Sequence, residues 1–97
     1  MLFYVEMELQ VPPDYDPELR KDLVTRERKR AAEIAAEGFW KYQWIVPGRR
    51  ARINICSAAD PVKLHETYAS LPAFKFTDLH ASPLIECPAG EPIAMSK

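Results

Sequence analysis

The stretch GFWKYQWIVPGRRARINICS, Gly38 to Ser57, decides the fold. Trp40 to Val46 alternates residue by residue, which is the period of a strand, and Ala51 to Ser57 repeats it with Ile53 and Ile55 on one face. Pro47 and Gly48 between them read as a tight turn, so the two strands form a hairpin. Working outward, each strand is flanked by a helix. On the N-terminal side, Asp16 followed by Pro17 combines an N-cap with a proline at the first helical position, and Gly38 suits the residue just past a helix end. On the C-terminal side, Asp60-Pro61 repeats that start, and a short helix follows through Leu64, Tyr68 and Leu71 until Pro72 ends it. Outermost, Phe3, Val5, Met7, Leu9 and Val11 recur every second residue until Pro12 and Pro13 stop the strand. Lys75 to Glu86 supplies the last strand. The order β-α-β-β-α-β is the ferredoxin-like arrangement of the α+β class: a four-stranded antiparallel sheet with two helices on one face. Residues 1–86 read as one domain and 87–97 as a tail without periodicity.

Ninety-seven residues, 47% of them hydrophobic, support one modest core. Two helices cover one sheet face, so the other calls for a second copy of the chain packed sheet to sheet, with the tail placed to lie across a neighbour. A net charge of −1 argues against a general polyanion binder, which needs a basic excess to displace counterions from phosphates. Glu6 and Glu8 interrupt the N-terminal segment, and no apolar run approaches the ~20 residues of a membrane span, so a cytoplasmic protein is expected. In that compartment Cys56 and Cys87 are reduced thiols. Two cysteines and two histidines without close spacing do not form a metal site.

The first helix contains a carboxylate where an apolar residue belongs. At about 100° per residue, Leu19, Leu23, Ala31, Ile34 and Ala35 share one stripe, and Glu27 falls near its middle. Burying a carboxylate is costly unless it is paired, hydrogen-bonded or protonated. Either Glu27 pairs with Arg30, three residues on, or it is a general base in an apolar pocket. On strand two, strict alternation puts Trp40, Tyr42, Trp44 and Val46 on one face and Lys41, Gln43 and Ile45 on the other. If the helix covers the aromatic face, a pocket walled by aromatics and floored by Glu27 follows. A base-stacking sheet for RNA carries its aromatics in a glycine-containing basic motif on central strands, and this sequence has none.

The residues together resemble the muconolactone Δ-isomerase family. The resemblance rests on MLFYVEMELQVPPDYDP, on Trp40 and Trp44 followed by Gly48, and on LHETYASLPAFKFTD, and runs from Met1 to about Leu84. It implies a cofactor-free enzyme of aromatic catabolism that shifts a double bond by moving a proton across an unsaturated lactone. It also implies a dimeric α+β barrel whose dimers assemble into decamers. Such chemistry needs a base, donors for the dienolate oxygen, and a cation to hold the substrate carboxylate. Glu27 matches the family's helix carboxylate and becomes the candidate base, Tyr42 the candidate donor, and Trp40 and Trp44 the substrate wall. Arg28, Arg49, Arg50 and Arg52 all remain open as the cation. The chain departs from the family pattern at Tyr4 and Tyr42, where histidines are usual, at Ile45 for an arginine, and at Arg50 and Arg52 for a tyrosine and an asparagine. Other readings of the same scaffold are a cofactor-independent monooxygenase, a biosynthetic cyclase, or a non-catalytic binding protein for a small ligand.

Overall fold

A computed structural model describes residues 1–90. Its elements are β1 (Leu2–Leu9), α1 (Pro17–Ala36), β2 (Trp40–Val46), β3 (Ala51–Ser57), α2 (Pro61–Ala69), a 3-10 helix (Pro72–Phe76) and β4 (Thr77–Leu84). The strands form one sheet in the order β2-β3-β1-β4, and every neighbouring pair is antiparallel. This is the ferredoxin-like α+β fold that the element order predicts. Residues 91–97 of the tail lie outside the described residues, as does the expectation that the tail crosses a neighbour.

Both helices begin as their Asp-Pro pairs dictate. The Asp16 carboxylate accepts the Leu19 N–H at 3.0 Å and that of Asp60 accepts the Lys63 N–H at 2.8 Å, each satisfying a donor that the first turn leaves unpaired. Beyond α1, Gly38 adopts φ +78°, a left-handed conformation that costs a side-chain-bearing residue about 1–2 kcal/mol, and turns the chain into β2. The expected second helix stops two residues early, at Ala69. Pro72 then starts the 3-10 helix, which occupies the first residues assigned above to the last strand.

Cross-strand partners share a sheet face, so the register sorts the side chains. Phe3, Val5 and Met7 of β1 and Asn54 and Cys56 of β3 face the helices. Tyr4 and Glu6 with Ile53 and Ile55 face the other way. The buried core gathers Phe3, Val5, Ile34, Phe39, Cys56, Leu64, Tyr68 and Leu71. It fills one end of the helix-covered face and leaves the end nearest the β2–β3 turn open. On α1 the inward stripe runs through Leu23, Glu27, Ala31 and Ile34. Leu19 and Ala35, expected on that stripe, are exposed: they sit at its margins. No helix among the described residues is long and apolar enough to cross a membrane.

Candidate active site

A cavity of about 540 Å³ occupies the open end between α1 and the sheet. Met7 and Leu9 of β1 and Ala51 of β3 give it an apolar base, Ala31 and Leu71 close one side, and Trp40 stands at the end next to the core. Glu27 and Arg28 enter from α1, and Arg49, Arg50 and Arg52 from the turn and β3. The chain therefore brings six of the eight sequence-selected residues to one hollow. Tyr42 and Trp44 are not among its lining residues.

A β-bulge separates those two from Trp40. Trp40 pairs with Cys56 and Tyr42 with Ile55, so Lys41 is an extra residue opposite no partner. The bulge breaks the strict alternation expected of β2. Trp40 faces the helices, whereas Tyr42 and Trp44 join Ile55 and Ile53 on the open face, stacked at 5.8 Å and 64% and 52% exposed. The expected common aromatic wall is thus corrected to Trp40 alone. Tyr42 cannot donate into the cavity of its own chain, because the sheet lies between them. Ile45, placed by alternation on the face opposite the tryptophans, lines the cavity and pairs across the ladder with Arg52.

Glu27 does not pair with Arg30. Arg30 binds Glu33 at 3.1 Å and the Ser70 hydroxyl at 2.9 Å instead. Glu27 Oε1 accepts the backbone N–H of Ala73 at 2.9 Å. The 3-10 helix explains why. Its first residue, Pro72, has no N–H, and its N-cap Leu71 has no polar side chain, so the Ala73 donor takes a carboxylate from α1. One carboxylate oxygen is thereby fixed, and Oε2 is left without a protein donor among the described residues.

The arginines divide into two groups. Arg49 is committed to β1: it donates to Glu8 and lies 3.5 Å from Glu6. The Arg49 hydrogen bond, helped by one from Gln10, holds the Glu8 carboxyl below its usual range, and Glu8 in turn raises Arg49. Arg28, Arg50 and Arg52 have no carboxylate within salt-bridge distance among the described residues. The hollow thus presents three uncommitted guanidinium groups and one carboxylate.

Trp40 is anchored from behind by residues that sequence reasoning did not connect. Its indole Nε1–H donates to the Tyr68 hydroxyl at 3.1 Å, and Asn54 Nδ2 donates to the same oxygen at 3.0 Å. Both lone pairs are then used, so the hydroxyl proton points to Cys56 Sγ, 3.1 Å away. Cys56, which had no evident partner in the sequence, therefore has one. Burial pushes both the Cys56 thiol and the Tyr68 phenol upward, so both stay protonated and neither is an acid–base catalyst near neutrality. The only sequence signal for this cluster is a tyrosine on the apolar face of α2, at the helical spacing Leu64, Tyr68, Leu71. His65 stacks edge-on against Phe74 at 5.7 Å, in place of the structural hydrogen bond that a helical histidine suggests. His80 lies 3.5 Å from Asp78 on the exposed edge strand.

Comparison with known proteins gives a consistent outcome. The family model described as muconolactone delta-isomerase matches residues 1–89. Muconolactone Delta-isomerase 2 of Acinetobacter lwoffii is 33% identical over 84 residues, covering 87% of this chain and 88% of that protein. Muconolactone Delta-isomerase of Pseudomonas aeruginosa is 30% identical over 89 residues, 92% and 93% of the two chains. The crystal structure of a muconolactone isomerase superposes with a TM-score of 0.83 at 29% identity, covering 99% of this chain and 98% of that one.

Proposed function

The chain belongs to the muconolactone delta-isomerase family, and from that premise we propose that its cavity isomerises muconolactone or a close unsaturated lactone with Glu27 as base. In this reaction the ring carbon bearing the side chain loses a proton, the double bond moves, and the carbon beside the carbonyl gains the proton. The observation that carries the reading is the charge asymmetry of the hollow. The substrate arrives with one negative charge on its side-chain carboxylate. A second develops on the lactone's carbonyl oxygen as the dienolate forms. Three uncommitted guanidinium groups are complementary to that doubly charged species rather than to the singly charged ground state, which is the condition for lowering the barrier.

Roles follow from what each group has free. Glu27 Oε2 takes the proton and returns it across the ring, while the Ala73 N–H keeps the carboxylate aimed. Arg52 is the best-supported cation for the side-chain carboxylate. It faces the cavity directly opposite Ile45, the position at which family members usually carry an arginine, so the charge has crossed the ladder while staying on the same face. Arg28 and Arg50 stabilise the dienolate oxygen, a task the bulge denies to Tyr42 of the same chain. Trp40 and Ile45 hold the ring. No feature of the cavity favours an oxidation, a cyclisation or a purely binding role over this one.

The open sheet face supports a homodimer formed sheet to sheet, and the family resemblance supports larger rings built from such dimers. Free Cys56 and Cys87 suit the reducing cytoplasm. The test is turnover of muconolactone, followed by its ultraviolet spectrum. Wild-type protein is expected to convert it, and Glu27→Gln to lose about 10²–10⁴ in kcat, the usual contribution of a positioned base. Unchanged turnover in Glu27→Gln would remove the carboxylate from the mechanism.

A further inference from the structure

We infer that Tyr68, which lies behind the cavity and is not among its lining residues, is a positioning residue that sets the substrate-facing orientation of Trp40. The inference rests on the isomerase reading only for its kinetic readout.

Trp40 needs such a device. It is the last residue before the bulge, and beyond it Tyr42 and Trp44 turn to the opposite face, so neither is beside it to hold its ring. Its N–H is the one polar atom of the indole, and it is drawn inward to Tyr68 rather than left to a ligand. Tyr68 is 1% exposed and meets Trp40 and Phe39 edge-on at 6.4 and 5.4 Å. Its hydroxyl is saturated by Trp40, Asn54 and Cys56, so it has no spare hydrogen bond with which to rotate.

Asn54, fully buried, extends the same cluster toward the cavity on two further sides. Its Oδ1 accepts from Gln43 on the bulged strand at 3.2 Å, and its Nδ2 lies 3.2 Å from the sulfur of Met7, a base residue of the cavity. A fully satisfied buried network of this kind specifies one geometry, because each alternative rotamer strands a donor in low dielectric. The cluster thus fixes Trp40 directly, and it touches Met7 at the base of the cavity and Gln43 on the bulged strand. Among the described residues, Glu27, Arg28, Arg50 and Arg52 make no side-chain hydrogen bond to Tyr68, Asn54 or Cys56.

The deciding experiment is a double-mutant cycle on steady-state kinetics with muconolactone, using wild type, Tyr68→Phe, Trp40→Phe and the double variant. Tyr68→Phe should raise KM about three- to tenfold, the range of one lost hydrogen bond, with kcat little changed. In the double variant KM should equal that of Trp40→Phe alone, since Tyr68 reaches the substrate only through the indole. Effects that multiply would overturn the inference. Leu64→Ala trims the same buried core on α2 without removing any partner of that hydroxyl, and it should lower stability while leaving KM unchanged in the folded variant. An equal rise in KM there would reduce Tyr68 to ordinary core packing and overturn the inference too. If wild-type protein converts no muconolactone, the isomerase reading alone fails. Positioning is then read from the near-ultraviolet dichroism of Trp40 in a Trp44→Phe background. Weakening of that band by Tyr68→Phe supports the inference, and an unchanged band overturns it.

Discussion

At the scale of single residues, the cavity's chemistry depends on which charges are already spent. Arg49 lines the hollow, yet Glu8 and Glu6 occupy its guanidinium, whereas Arg52 has no such partner among the described residues. Arg52→Gln is therefore expected to lower kcat/KM for muconolactone about ten- to hundredfold, the worth of a hydrogen bond to a charged group. Arg49→Gln should cost several-fold less. Steady-state kinetics of the two variants at one ionic strength makes the comparison, and equal losses would place the substrate carboxylate at the turn instead. The sequence held all four arginines but no means of ranking them, because ranking depends on partners that lie forty residues away on β1. Glu27 was legible for the opposite reason. Helical periodicity alone sets it among Leu23, Ala31 and Ile34, and leaves open only whether it pairs with Arg30. The Ala73 N–H that claims it belongs to a turn whose existence the sequence did not announce.

At the scale of elements, capping was legible and register was not. Asp-Pro pairs report a local need, the unpaired donors of a first helical turn, and the neighbouring residues meet it by themselves. The bulge at Lys41 has no local signature: WKYQW alternates perfectly, and only pairing with β3 reveals the extra residue. Tyr42 and Trp44 changed faces for that reason. The 3-10 helix was hidden similarly, since PAFKF contains two aromatics that suit a strand as well as a tight helix. A cap should nonetheless be separable from the site it supports. Asp60→Ala removes the acceptor at the start of α2 and is expected to cost about 1 kcal/mol in urea unfolding. Tyr68 sits two turns further along that helix, so KM for muconolactone should stay at the wild-type value in the folded variant. A raised KM would mean that the indole depends on the whole of α2 rather than on the hydroxyl network.

At the scale of the whole molecule, the two sheet faces have opposite fates. The helix-covered face is divided between a packed core and the cavity. The other face exposes Leu2, Tyr42, Trp44 and Leu84 around the half-buried Tyr4, Ile53 and Ile55. A contiguous apolar surface of that kind is a site of association. Its chemistry favours a second copy of this chain, because a sheet face laid on its own twin buries the same residues twice and closes on itself. The stacked Tyr42–Trp44 pair is more exposed than Leu2 and Leu84 on that surface and so the natural anchor, in keeping with the weight that aromatics carry in interfaces. Trp44→Glu places a charge at the anchor and leaves the helix-covered face intact. Light scattering on a sizing column at micromolar concentration should show it at the mass of a single chain, or at much weakened association, while wild type elutes as a dimer or a larger even-numbered assembly. If Trp44→Glu keeps the wild-type mass, the open face is not the interface, and the bulge that turned Tyr42 and Trp44 outward would then need a different explanation from the one that assembly supplies.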